Sequence, residues 1–303
     1  MTDTAITTTD LTKSFGSTRA LDNFNFTVRS GEVHGFLGPN GAGKSTAIRV
    51  LLGMLRATSG SASVLGMDPR RESVALHQRL AYVAGDTNLW PNLTGGEAID
   101  VLTRHQRSKH QRRRREDLIE RFGLDPRKKA RTYSKGNRQK VALISALSLD
   151  VDLYLLDEPT SGLDPLMEAI FTKEVRSLRE QGRTVLLSSH ILGEVEKLCD
   201  RVTIIREGTD VEHGSLDELR HLTRSAVTAT TQADPTGLGE LNGVHEFRVD
   251  GRNIRFDVDD DDVTAVIARL AELGVDNLRI TPPSLEDLFL RHYGGDAGDR
   301  ETV

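Results

Sequence analysis

The stretch Gly38-Pro39-Asn40-Gly41-Ala42-Gly43-Lys44-Ser45-Thr46 carries the plainest chemistry in the chain. It matches every defined position of a phosphate-binding loop and lies between a predicted strand, Val33 to Leu37, and a predicted helix. Glycines let backbone N–H groups approach phosphate oxygens, and the helix amino terminus adds a favourable dipole. Lys44 then reaches the β- and γ-phosphates, and the Ser45 hydroxyl ligates Mg²⁺. The bland alternative is a glycine-rich turn that binds nothing, and the agreement of motif with context weighs against it.

A phosphate loop alone leaves kinases, GTPases and motor ATPases open. Asp157 and Glu158 begin to choose, because they follow the apolar run Leu153-Tyr154-Leu155-Leu156. One carboxylate at such a strand end orients Mg²⁺ through water, and the next polarises an attacking water. Acidic residues there can also be plain helix caps. A third apolar run, Thr184 to Leu187, delivers Ser188, Ser189 and His190 in the same way.

Tyr133-Ser134-Lys135-Gly136-Asn137-Arg138-Gln139, placed before a helical apolar stretch, resembles the signature motif of ABC ATPases. The usual Leu-Ser-Gly-Gly-Gln is matched at Ser134 and Gly136, while Tyr133, Lys135 and Asn137 depart from it. Pro159 follows the carboxylate pair, Ser161-Gly162-Leu163-Asp164 resembles the D-loop, and His190 resembles the switch histidine. The resemblance spans Ile6 to Gly214 and implies a P-loop NTPase domain with ATP and Mg²⁺ as ligands. It implies that His190 contacts the γ-phosphate and that Phe15 stacks under adenine, a core phenylalanine being the alternative. It further implies two ATPase domains facing head to tail, each ATP held between the phosphate loop of one and Ser134, Gly136 and Asp164 of the other. A homodimer of ATP-binding subunits at the cytoplasmic face of a membrane, docked on an integral-membrane permease, is the expected assembly.

Relatives place a glutamine after the strand that follows the phosphate-loop helix, and here Gly85 occupies that place. Asp86 can substitute as an oxygen ligand for the metal, or it is a loop carboxylate facing water. Trp90, the only tryptophan, lies where relatives form the permease groove, so it is either an anchor or a core residue. The tail Pro282-Pro283-Ser284-Leu285-Glu286-Asp287-Leu288-Phe289-Leu290 and the segment Tyr82-Val83-Ala84-Gly85-Asp86 are similar to daunorubicin- and tetronasin-type exporters of actinobacteria. Efflux of drugs or antibiotics is thereby implied. Two other classes are weighed beside it. Translation and repair ATPases carry paired domains or long coiled coils, and no sustained heptads occur here; a regulatory module with little turnover has less need of Glu158 and His190.

These residues need a frame to hold them. With 303 residues the chain is long enough for about two domains. Strand and helix patterns alternate to about Arg206, as in an α/β domain with a mostly parallel sheet. Residues 1–214 form that domain, with a helical subdomain over about 95–150. Its run Lys109-His110-Gln111-Arg112-Arg113-Arg114-Arg115 is a solvated helix face, or a contact for anionic lipid. Residues 215–303 form a small α+β domain: a linking helix from Ser215 to Leu222, a hairpin at Asp250-Gly251, a helix from Val263 to Leu273, a strand near Leu278-Arg279-Ile280 and a last helix near Leu285 to His292. The net charge of -5 argues against a nucleic-acid partner, and the single Cys199 against disulfides or a cysteine metal site. The amino terminus lacks the pattern of a secretory signal, and apolar runs stop far short of the roughly 20 residues a membrane helix requires.

Overall fold

Threonine-rich and alternating, the first sixty residues suit a pleated, half-buried surface. In the computed structural model, which describes residues 4–104, 108–221 and 224–281, they form β1 (Thr4–Phe15) and β2 (Thr18–Arg29), paired antiparallel. β3 (Val33–Leu37), α1 (Lys44–Leu51) and β4 (Ser59–Val64) follow, and β4 pairs with β1 to give a three-stranded sheet of order β2-β1-β4. This antiparallel sheet is an addition to the expected α/β pattern. Its inner face, with Ile6, Leu11, Phe24 and Val28, packs in one apolar cluster with Phe36, Ile48, Leu155 and Leu186.

The next elements are α2 (Ser73–His77), β5 (Leu80–Val83), α3 (Gly95–Leu102), α4 (Lys109–Arg121), α5 (Lys135–Leu147), β6 (Leu153–Asp157), α6 (Pro165–Glu180), β7 (Thr184–Ser189), α7 (Leu192–Leu198), β8 (Arg201–Arg206) and β9 (Thr209–Ser215). A six-stranded sheet runs β5-β6-β7-β3-β8-β9, with parallel pairing from β5 to β8. β3, β6 and β7 are buried at every position, as strands covered on both faces must be. Each fully buried leucine of β6 contributes about 1.5–3 kcal/mol relative to exposure. The register Leu37↔Ser189 and Asp157↔Ser188 brings the carboxyl ends of three strands to one edge.

α3, α4 and α5 make the helical region. Its arginine run divides in two. Lys109, His110, Arg112 and Arg113 are exposed, whereas Arg114 turns inward and donates through Nε to the Leu147 carbonyl at 2.7 Å and through Nη2 to Glu174 at 3.1 Å. Arg121 also pairs with Glu174, which is 2% exposed on α6. The run is therefore a solvated face on one side and a tether to the sheet-bearing core on the other.

The chain divides into two compact units, Met1–His213 and Gly214–Val303. The second holds α8 (Leu216–His221), β10 (Ser225–Thr231), β11 (Val244–Asp250), β12 (Asn253–Val258), α9 (Val263–Leu273) and β13 (Val275–Thr281). Its antiparallel sheet runs β11-β12-β10-β13, and Asp250 pairs with Asn253 across the tight turn where Gly251 takes φ 60°. Val227, Phe256, Val266 and Leu270 form its core. The strand β10 was not foreseen, since Ser225 to Thr231 has only small side chains; the helix expected at Leu285 to His292 lies outside the described residues.

Replacing Glu174 with alanine removes the carboxylate that Arg114 and Arg121 share. It is expected to cost about 2 kcal/mol, discounted from the fully buried case because Arg114 and Arg121 keep partial exposure. Urea unfolding followed by Trp90 fluorescence reads the change as a lower midpoint at unchanged slope.

Candidate active site

The loop from Gly38 to Gly43 leaves β3 and enters α1 through close backbone approaches that exclude side chains. A Cβ at Gly43, where φ is 113°, would lie 2.6 Å from the Ala20 carbonyl oxygen, and one at Gly38 would lie 2.6 Å from the Ile205 carbonyl oxygen. Gly41 also has a left-handed φ of 86°. Helix α1 starts with no side-chain cap and no acid in its first turn, so its amino-terminal N–H groups remain suited to an anion. Pro39, Asn40 and Ala42 complete the loop, and Thr46 and the half-buried Ser45 follow Lys44 on α1.

Lys44 is buried, with Nζ donating to the carbonyls of Gly38 at 2.5 Å and Pro39 at 3.1 Å. Burial lowers its pKa, and the charges of Glu158 and Asp157 oppose that shift. Its Nζ stands 3.8 Å from Glu158 Oε1, which in turn is 3.2 Å from His190 Nδ1. Glu158 takes φ 45°, a left-handed conformation that costs a non-glycine residue about 1–3 kcal/mol. Its amide extends the sheet ladder by donating to the Ser188 carbonyl at 3.0 Å, which holds it there.

The buried Asp157 accepts from Ser188 Oγ at 2.5 Å. The sequence places Ser188 at the carboxyl end of β7 without assigning it a role; the residue is wholly buried, and its hydroxyl takes Asp157 as the partner such burial requires. Glu194 was missed: it accepts from Ser189 Oγ at 2.7 Å beside the histidine, and burial raises its carboxyl pKa.

A second group gathers at the start of α5. Ser134 caps that helix by accepting from the Asn137 amide at 3.3 Å. Gly136 sits so close to the Ser161-Gly162 turn that a Cβ would be 2.4 Å from the Gly162 carbonyl oxygen. Lys135 Nζ donates to Ser161 Oγ at 2.8 Å, and Asp164 caps α6 through the amides of Leu166 and Met167. Lys44, Glu158, Asp157 and His190 thus form one cluster, and Ser134 and Gly136 form another with the Ser161-Gly162 turn that leads to Asp164.

Phe15 is half exposed near the turn between β1 and β2, with the Lys13 ammonium 4.8 Å from its ring centre, and so is no core residue. Gly85 lies against the main chain of the Asp157-Glu158 pair: a Cβ there would be 3.3 Å from the Asp157 carbonyl oxygen and 3.6 Å from Glu158 Cβ. Asp86 is exposed on the wall of a groove of about 430 Å³ that Met54, Tyr82, Leu89, Trp90 and Leu102 also line. Trp90 is half exposed there, not packed in the core.

The donor set suits a phosphate chain with a hard cation, because a glycine cradle, an ammonium, a hydroxyl and carboxylates converge. Among the described residues no three His, Cys, Asp or Glu side chains gather as a metal cluster.

Residues 21–161 match the family described as ABC transporter, and residues 214–293 match the DrrA1-3-like ATP-binding protein C-terminal domain. The chain is 35% identical to the daunorubicin resistance ATP-binding protein DrrA3 of Streptomyces coeruleorubidus over all of both chains. It is 33% identical to the bacitracin transport ATP-binding protein BcrA of Bacillus licheniformis over 96% of this chain and 98% of that one. A solved ATP-binding subunit of an ABC transporter superposes with a TM-score of 0.68 at 30% identity, covering 72% of this chain and 92% of that structure.

Gly136→Ala is expected to displace the start of α5 from the Ser161-Gly162 turn and lower nucleotide turnover by about 10²-fold. Gly193→Ala is the control in a steady-state hydrolysis assay, since its added methyl meets nothing within 4 Å.

Proposed function

The chain belongs to the ATP-binding subunits of ABC transporters, ATP-hydrolysing proteins whose relatives here are of the drug- and antibiotic-resistance type, and from that premise we propose that it powers export of such compounds through a separate membrane permease. No described helix is long and apolar enough to cross a membrane, so the translocation path in this reading is built by the partner. The observation that carries the chemistry is the Lys44–Glu158–His190 constellation, with Glu158 Oε1 at 3.8 Å from one and 3.2 Å from the other.

In this reading Lys44 leaves its loop carbonyls for the β- and γ-phosphates, where its full charge stabilises the transferring group. Glu158 orients the attacking water and takes up its proton, while His190 contacts the γ-phosphate and keeps the Glu158 carboxylate in place. Phe15 offers its open ring to adenine. A magnesium ion held by Ser45 and Asp157 would neutralise charge on the phosphate oxygens. Ser134, Gly136 and Asp164 belong to the second cluster and serve the ATP bound by another copy of the chain, so the working unit is a dimer. Asp86 would add a carboxylate oxygen to that ion, and the half-exposed Trp90, on the same groove wall, anchors the permease.

Glu158→Gln is expected to lower kcat by about 10²–10⁴-fold while ATP still binds. Hydrolysis by the purified chain with and without its permease in lipid is the measurement. An unchanged rate in the variant would remove Glu158 from the chemistry, and a rate indifferent to the permease would remove the transport reading. Asp86→Ala is expected to raise the Mg²⁺ concentration needed for half-maximal turnover; an unchanged requirement leaves that residue to the groove alone.

A further inference from the structure

Gln139, on the first turns of α5, is 2% exposed and uses both ends of its amide. Nε2 donates to the Pro159 carbonyl at 3.0 Å, and Oε1 accepts from Thr87 Oγ1 at 2.9 Å. The amide can face only one way, because the Pro159 carbonyl accepts and never donates. One buried side chain thus ties α5 to two separate segments: the one after β5, which holds Gly85, Thr87 and the groove wall, and the one after β6, which holds Glu158 and Pro159. Gly85 lies against Asp157 and Glu158 but has no side chain to bridge to them, so Gln139 makes the polar link between these segments. The link is also adjustable, since the single Thr87 proton has a second acceptor in the Ala84 carbonyl at 3.2 Å.

We infer that Gln139 is a positioning residue for hydrolysis: by pinning the Pro159 carbonyl to the Thr87 segment it sets where the adjoining Glu158 carboxylate stands, and movement of the groove wall reaches Glu158 through it. The inference rests on the ATPase reading given above. Glu158 depends on such support, since its left-handed backbone is a conformation the chain leaves unless it is held.

Gln139→Glu separates positioning from packing. A neutral carboxylic acid has the shape of the amide and can both donate to Pro159 and accept from Thr87, whereas the ionised form turns a negative oxygen toward a carbonyl in a buried site. Burial raises the pKa of a carboxyl placed there, so the neutral form gains as pH falls toward the acid side of neutrality. The experiment measures kcat and KM for ATP in the full-length chain from mildly acidic to mildly alkaline pH, with wild type, Gln139→Glu and Gln139→Met side by side and nucleotide binding followed by a fluorescent ATP analogue. Relative to wild type at each pH, kcat of Gln139→Glu is expected to rise by about tenfold for each unit the solution falls below neutrality until the carboxyl is protonated, with KM and binding unchanged. Gln139→Met is expected to stay low at every pH. A Gln139→Glu ratio that is flat with pH, or a Gln139→Met rate equal to wild type, overturns the inference. Should the methionine variant fail to fold, the pH profile of the glutamate variant decides alone. Absence of turnover in wild type even with the permease in lipid would instead overturn the ATPase reading, so the two failures are distinct.

Discussion

The parallel hydrogen-bond register of β3, β6 and β7 is the constraint on which the rest of the molecule depends. Pairing Leu37 with Ser189 and Asp157 with Ser188 ends three buried strands at one level, and only there can the phosphate loop, the carboxylates and the histidine meet. A slip of one residue in β6 would turn Asp157 to the opposite face of the sheet. The leucines of β6 and β7, buried on both sides, make such a slip expensive, so hydrophobic packing remote from the chemistry sets the positions of its charges. Ser188 then turns register into electrostatics: its backbone carbonyl holds Glu158 and its hydroxyl holds Asp157.

The active cluster is built under local tension that its surroundings balance. Lys44 is buried against its preference for water, Glu158 has a left-handed backbone, and glycines at 38 and 43 let main-chain atoms come nearer than any side chain would permit. None of these features is stable in an isolated segment. They persist because the strands beneath are rigid and because the helical region is tied down elsewhere, through Arg114 and Arg121 on Glu174.

How much of this was legible in the sequence follows from the distance along the chain between interacting groups. The phosphate loop, the Asp157-Glu158 pair and the turn at Asp250-Gly251 are written in adjacent residues, and their elements lie where the local pattern put them. The parallel sheet could be anticipated because runs such as Leu153 to Leu156 leave no polar face to expose. The antiparallel sheet of β2, β1 and β4 was hidden by its half-polar threonine composition. The inward turn of Arg114 toward Glu174, sixty residues away, was equally hidden, as only the folded chain shows which arginines in a run of four find a partner. Gln139 was visible as a letter in the signature motif, but its partners stand 52 and 20 residues distant and no local pattern marks them.

Cys199 closes α7 with its sulfur about where it would touch any side chain placed at Gly35, and burial raises its thiol pKa well above the usual value. Almost none of it is thiolate at neutral pH, and the thiolate is the form that reacts. The folded chain is thus slow to react with maleimides and methanethiosulfonates. A cysteine introduced at the surface can carry a fluorophore or spin label with its native thiol left in place, so opening and closing can be followed spectroscopically in an otherwise unaltered protein.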